Sequence, residues 1–199
     1  MIVTIANAKG GVAKTTSAMF LAAAYARRFE SSVPVVLDAD PQASASLWRD
    51  LVEDSGGCLG FDVAAANLST LRRLDRVRAG SFVVVDAPPQ GRLLETAIGV
   101  ADFVVVPSSD SPLDLQQAWA TLAAVPRERP AAVLLARVEP GTTAYARSVS
   151  ALEGASTPRF DAVVRKRQDL KRCMGRCPSK LWEYGQVLDE LLEVVRDGE

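Results

Sequence analysis

Lys9-Gly10-Gly11-Val12-Ala13-Lys14-Thr15-Thr16 follows at once on the apolar run Ile2 to Ala6 and leads into a helix candidate, Thr15 to Arg28. A strand, a glycine-bearing turn and Lys-Thr at a helix start make a phosphate cradle. Successive backbone N–H groups converge there, and the helix N-terminus adds positive potential. The order of residue types is physically constrained. Lys14 must be charged and beside the amides to bridge a β- and a γ-phosphate. Thr15 must follow it directly to offer a hydroxyl to Mg²⁺, which leaves Thr16 near the α-phosphate.

The spacing is that of a P-loop, but the glycines at both ends of the general pattern are replaced by Ala8 and Ala13. Two glycines remain inside the loop, and Asp86 follows a second apolar run, Phe82 to Val85, where a carboxylate supporting Mg²⁺ belongs. Working outward, further short, β-branched runs stand at Val33 to Leu37, Phe103 to Val106 and Ala131 to Ala136. Helix candidates fall between the runs at Leu68 to Arg78, Leu93 to Ala101, Pro112 to Val125 and Thr142 to Leu152. This alternation predicts an α/β fold, a mostly parallel twisted sheet with helices on both faces of the P-loop NTPase, Rossmann-like kind. A chain of 199 residues with 48% hydrophobic composition is expected to form one domain over residues 1–199.

Composition excludes several chemistries. With no histidine in the chain, catalytic triads, His-ligated metals and imidazole acid–base catalysis are ruled out. Lys, Asp, Ser/Thr and backbone amides must do the work. The 23 basic and 24 acidic residues nearly cancel, so a nucleic-acid or membrane partner would have to be met by a local patch. Cys58, Cys173 and Cys177 are sparse and odd in number, which fits a reducing compartment and ordinary thiols. The first apolar run is too short for a signal peptide or a membrane span, so a cytoplasmic location is expected.

Asp38-Ala39-Asp40-Pro41-Gln42 and Asp86-Ala87-Pro88-Pro89 follow their strands as the loop follows the first. With Lys9 at the loop's start, these segments resemble the deviant Walker A, second and Walker B boxes of the ParA/MinD-type ATPases. Ser109 to Leu115 and Phe160 to Leu192 are similar to the small, ParF-like partition branch. The resemblance implies ATP and Mg²⁺ as cofactors and an ATP-dependent homodimer in which Lys9 reaches the partner's phosphates. It also implies slow hydrolysis completed by a ParB-like or cargo-adaptor activator. It makes Lys9, Lys14 and Asp40 catalytic, with Asp40 positioning water. Lys9 through Thr16, that is Lys9, Gly10, Gly11, Val12, Ala13, Lys14, Thr15 and Thr16, become the nucleotide loop. Thr15, Asp38 and Asp86 become the metal-binding set. A simpler reading of Asp38 and Asp40 is that they cap the helix expected near Ser44. Two carboxylates facing a phosphate would repel it without a metal between, which again implies Mg²⁺.

Between Arg165 and Lys180, seven cations stand against the single acid Asp169. Arg165, Lys166, Arg167, Lys171 and Arg172 are therefore candidate contacts to DNA of any sequence. The alternative is a solvated face balanced by the acidic stretch from Glu183 onward. MinD-like relatives carry a basic, apolar last helix on the membrane. Here the last helix candidate, Gln186 to Arg196, bears Asp189, Glu190 and Glu193, so no membrane partner is expected. The chain begins at its first strand, so a preceding operator-binding domain is not expected either. Trp182 and Tyr184 read as core rather than as base-stacking residues. The expected function is nucleoid-associated positioning of a plasmid, chromosome locus or protein cargo. A metabolic or membrane-positioning ATPase of the same superfamily is the alternative.

Overall fold

The computed structural model describes residues 1–74 and 81–197. Its elements run β1 (Ile2–Ile5), α1 (Lys14–Arg28), β2 (Val35–Asp38), α2 (Ser44–Asp54), β3 (Asp62–Ala65), α3 (Leu68–Leu71), β4 (Val83–Asp86) and α4 (Arg92–Val100). They continue with β5 (Phe103–Ser108), α5 (Pro112–Ala123), β6 (Ala131–Val138), α6 (Thr143–Gly154), β7 (Val164–Arg165), α7 (Gln168–Lys171) and α8 (Tyr184–Asp197). The strands form one sheet in the order β3-β2-β4-β1-β5-β6-β7, and every pairing is parallel.

The unalternated apolar runs are explained by two cores, one on each face of the sheet. Along β4, Val83 and Val85 feed one core while Val84 feeds the other, and along β5 Val104 and Val106 part from Val105 in the same way. A strand buried on both faces has no polar side to show, so periodicity of two disappears. On the first face, Phe20 of α1 meets Trp48 of α2 edge-on at 6.3 Å and stacks on Tyr184 of α8 at 5.1 Å. On the second, Ile98, Leu115, Ala118 and Leu152 cover the sheet from α4, α5 and α6.

Two edge strands escape the sequence reading. In β3 only Val63 is buried, and β7 has two residues, so neither produces an apolar run. The helix expected over Leu68 to Arg78 is helical at Leu68–Leu71, while its residues 75–78 lie outside the described residues. Val187, Leu188 and Leu191 of α8 are buried in the first core, while Arg28 pairs with Asp189 and the Glu190 carboxylate accepts from the backbone N–H of Asp161 and Ala162 at 2.8 and 2.7 Å. That apolar face is used inside the fold. Among the described residues no helix is long and apolar enough to cross a membrane.

Phe20 is fully buried where three aromatic rings meet. Phe20→Ala should therefore lower unfolding free energy by about 3–5 kcal/mol, read from urea denaturation.

Candidate nucleotide site

Parallel pairing brings the carboxyl ends of the strands together, and the register fixes which residues meet. Asp86 lies level with Ile5 on one side and with Asp38 on the other. Two carboxylates thus stand in a row on one side of the strand from which the glycine loop springs. The loop is anchored at both ends. The Asn7 amide donates to the Pro107 carbonyl at 2.8 Å while its oxygen accepts from Lys9 N–H at 2.8 Å, and Val12 is buried. Ala8 N–H donates to the Thr121 hydroxyl at 3.1 Å.

Lys14 opens α1, where the helix leaves its first N–H groups free. Its ammonium donates to the Lys9 carbonyl across the loop at 3.0 Å. Burial draws the Lys14 pKa below its ordinary value, while Asp86 and Asp40 pull the other way. The neighbouring Thr15 hydroxyl donates to Asp86 at 2.6 Å. Burial, reinforced by Asp38 and Asp40, pushes the Asp86 carboxyl up to about 7, against the lowering influence of Thr15 and Lys14. The other oxygen of Asp86, and one of Asp38, are buried without a hydrogen-bond partner among the described residues. Orphaned buried carboxylate oxygens beside a threonine hydroxyl are the donor set a hard divalent cation takes. Thr15, Asp38 and Asp86 therefore fit Mg²⁺, held directly or through its waters. The second oxygen of Asp38 accepts from both the N–H and the hydroxyl of Ser46, at 2.8 Å each. Asp38 thus also caps α2 through its second oxygen, which leaves its first oxygen turned to the site.

Asp40 is half-buried at the mouth of the site, turned by a bond from Gln42 N–H at 3.0 Å. Lys9 is tied within its own subunit. Its ammonium pairs with Asp114, which also accepts from the Ser109 hydroxyl at 2.6 Å. Burial opposes the Asp114 charge, yet the bonds from Lys9 and Ser109 outweigh it and hold the carboxyl below its usual range.

A cleft of about 830 Å³ opens over the loop, lined by Gly10, Gly11, Lys14, Thr15, Thr16 and Asp40 at one end. Its other end is walled by Val164, Lys166, Arg167, Leu170, Met174 and Tyr184. That volume suits a nucleotide-sized ligand.

Residues 3–176 match the family model described as the CobQ/CobB/MinD/ParA nucleotide binding domain. The chain belongs to that family. It is 38% identical over 170 residues to the maintenance of carboxysome distribution protein A of Gloeobacter kilaueensis, covering 82% of this chain and 76% of that one. Two solved structures share the fold. The ATP complex of Cyanothece McdA superposes with a TM-score of 0.74 at 17% identity, covering 96% of both chains. A Borrelia burgdorferi plasmid partition protein bound to AMPPNP does so with a TM-score of 0.71 at 18% identity, covering 100% of this chain and 99% of that one.

Against the family pattern, the two alanines have different explanations. Ala8 has no positive φ, so no glycine is needed there. Ala13 lies at φ 71°, a left-handed conformation that glycine adopts without strain. Arg137 was not singled out by the sequence reading. It occupies an irregularity where β6 meets β7, at φ 62°, and its guanidinium donates to the Gly11 carbonyl. No local pattern announces it, because a bulge between non-adjacent segments creates the position.

The basic segment divides. Arg167 makes a two-pronged pair with Glu183 and stacks at 4.7 Å on Trp182, so it works inside the fold. Lys166 pairs with Glu139 at 2.7 Å, and Arg165 lies 4.0 Å from Glu183. Arg172, Arg176 and Lys180 are exposed, and the side chain of Lys171 lies outside the described residues. Tyr184 is wholly buried and Trp182 half-buried, as core aromatics.

Two outcomes test this geometry. Ala13→Gly relieves left-handed strain of about 1–2 kcal/mol but frees the unfolded chain by about 0.4–1, so a net gain of about 0.5–1 kcal/mol in unfolding free energy is expected. Arg167→Ala should cost about 1.5–3 kcal/mol in the same assay, because a charge-assisted pair and a stacking contact go together.

Proposed function

We propose that this chain is a slow ATPase that dimerises on Mg-ATP and uses the dimer to position a cargo on nonspecific DNA. The observation that carries this reading is the pair of orphaned buried oxygens of Asp38 and Asp86 beside Thr15, at the N-terminus of the helix that begins with Lys14. A bound magnesium ion would neutralise phosphate charge next to these carboxylates. Lys14 and the loop amides would hold the β- and γ-phosphates, and Thr15, whose hydroxyl bonds to Asp86, would hold the metal together with Asp38 and Asp86. Asp40, at the open mouth, orients the attacking water. Lys9 of a second subunit supplies the last positive charge, so turnover waits on assembly.

A protein cargo is favoured, since the curated relative from Gloeobacter is named for carboxysome distribution. A ParB-like or cargo-adaptor protein would then complete the site and release the dimer. Nonspecific DNA, and with it nucleoid association, is supported by the exposed Arg165, Arg172, Arg176 and Lys180, which a phosphate backbone can reach. Arg167 is left out of that footprint because Glu183 and Trp182 occupy it.

Binding to unrelated duplexes should require Mg-ATP, be lost with Mg-ADP, and fall steeply with salt. Arg172→Ala and Arg176→Ala should weaken it on all sequences and each reduce the salt slope by about one, without the stability loss of an Arg167 variant. Lys14→Ala should weaken ATP about 10- to 100-fold by losing one charge-assisted contact, measured by calorimetry. Equal DNA binding in all nucleotide states would remove the switch from this reading.

A further inference from the structure

Lys9 and Asp114 are 105 positions apart, yet the fold brings them into contact. The contact is built from both sides. Asn7 ties the start of the loop to the end of β5 through the Pro107 carbonyl and holds Lys9 N–H, so Lys9 leaves the loop toward the β5–α5 junction. Asp114 sits in the first turn of α5, and the Ser109 hydroxyl fixes one of its oxygens while Lys9 takes the other. A carboxylate in a first helical turn is favourable by itself. That ordinary role does not explain where its oxygens go. The Asp114 and Leu115 N–H groups donate to the Ser111 carbonyl, and the carboxylate is spent on Lys9 and Ser109 instead.

We propose that Asp114 is a positioning residue that holds Lys9 on its own subunit and so sets how much triphosphate is needed before the lysine can cross to a partner. This rests on the dimer reading given above. The pair is strong enough to matter and weak enough to break. The Asp114 side chain is 11% exposed but that of Lys9 is 43% exposed, so water screens the attraction. A terminal phosphoryl group in a closing, water-poor interface presents more negative charge than one screened carboxylate, and it wins the lysine. A diphosphate has no oxygen at that place, so Lys9 stays with Asp114. The same pair thereby sharpens the distinction between ATP and ADP.

Screened pairs of this kind correspond to about a two- to five-fold bias, and both lysines must leave for one dimer to form. Removing the pair should therefore tighten dimerisation roughly four- to twenty-five-fold. The test is sedimentation equilibrium of the whole chain with Mg²⁺ and a β,γ-imido ATP analogue, on the wild type, Asp114→Asn, Ser109→Ala and Lys9→Met, with melting temperatures alongside. Asp114→Asn should dimerise more tightly than the wild type without a higher melting temperature, and Ser109→Ala should shift the same way by less. A residue with a structural role only would loosen dimerisation as it lowered the melting temperature. Unchanged or weaker dimerisation in both Asp114→Asn and Ser109→Ala, with Lys9→Met monomeric, would overturn the proposal and leave the dimer reading standing. Should Asp114→Asn not fold, Ser109→Ala decides alone. If Lys9→Met dimerises as well as the wild type, the dimer reading itself fails.

Discussion

Asp38, Asp40 and Asp86 are forced close together because parallel pairing ends β2 and β4 at the same level. Burial itself raises the Asp86 carboxyl to about 7, and repulsion from Asp38 and Asp40 adds to the rise. The surrounding residues answer that charge. Lys14 stands beside it, the Thr15 hydroxyl bonds to it, and Ser46 satisfies half of Asp38. Two oxygens are still left over. A cleft that gathers uncompensated negative charge next to a loop of converging amides is balanced only when a cation and a polyphosphate enter together. The rest of the site is arranged around that balance.

Much of this was legible in the sequence, for a physical reason. Central strands buried on two faces must be wholly apolar, and the residues that end them must be polar because they meet the cleft. Runs and boxes therefore alternate along the chain. The edges carry no such constraint. Val63 alone of β3 is buried, and β7 is held by its pairing with β6, so neither writes a pattern. Ala13 shows the opposite limit. A left-handed residue in the loop was foreseeable from the P-loop spacing, but whether alanine tolerates it depends on an anchored backbone, with Val12 buried on one side and α1 beginning on the other. Arg137 gave no signal in the sequence, and although Asp114 lies in a segment the sequence singled out, its pairing with Lys9 did not show, because each contact is made across more than 100 positions.

The basic segment illustrates how composition overstates a surface. Read as a string, Arg165 to Lys180 offers seven cations. In the fold, Glu183 and Glu139 neutralise part of that charge, and Arg167 serves as a strut between α8's entrance and the wall of the cleft. The segment is thus split between a balanced part at Arg167 and an exposed basic part at Arg172, Arg176 and Lys180.

That division has a mechanical consequence. Lys166, Arg167, Leu170 and Met174 wall the cleft, while Arg172 and Arg176 stand outside on the same short stretch of chain. The stretch is held by a two-residue strand, a four-residue helix and the Arg167–Glu183 pair, with Trp48 donating to the Arg176 carbonyl at 2.9 Å. Few buried apolar contacts fix it, so it is among the parts of the fold most easily shifted by a change at its inner face. The inner side of this segment faces the cleft, and its outer side carries the exposed cations. One short stretch of backbone therefore carries both the inner wall of the cleft and the exposed cations.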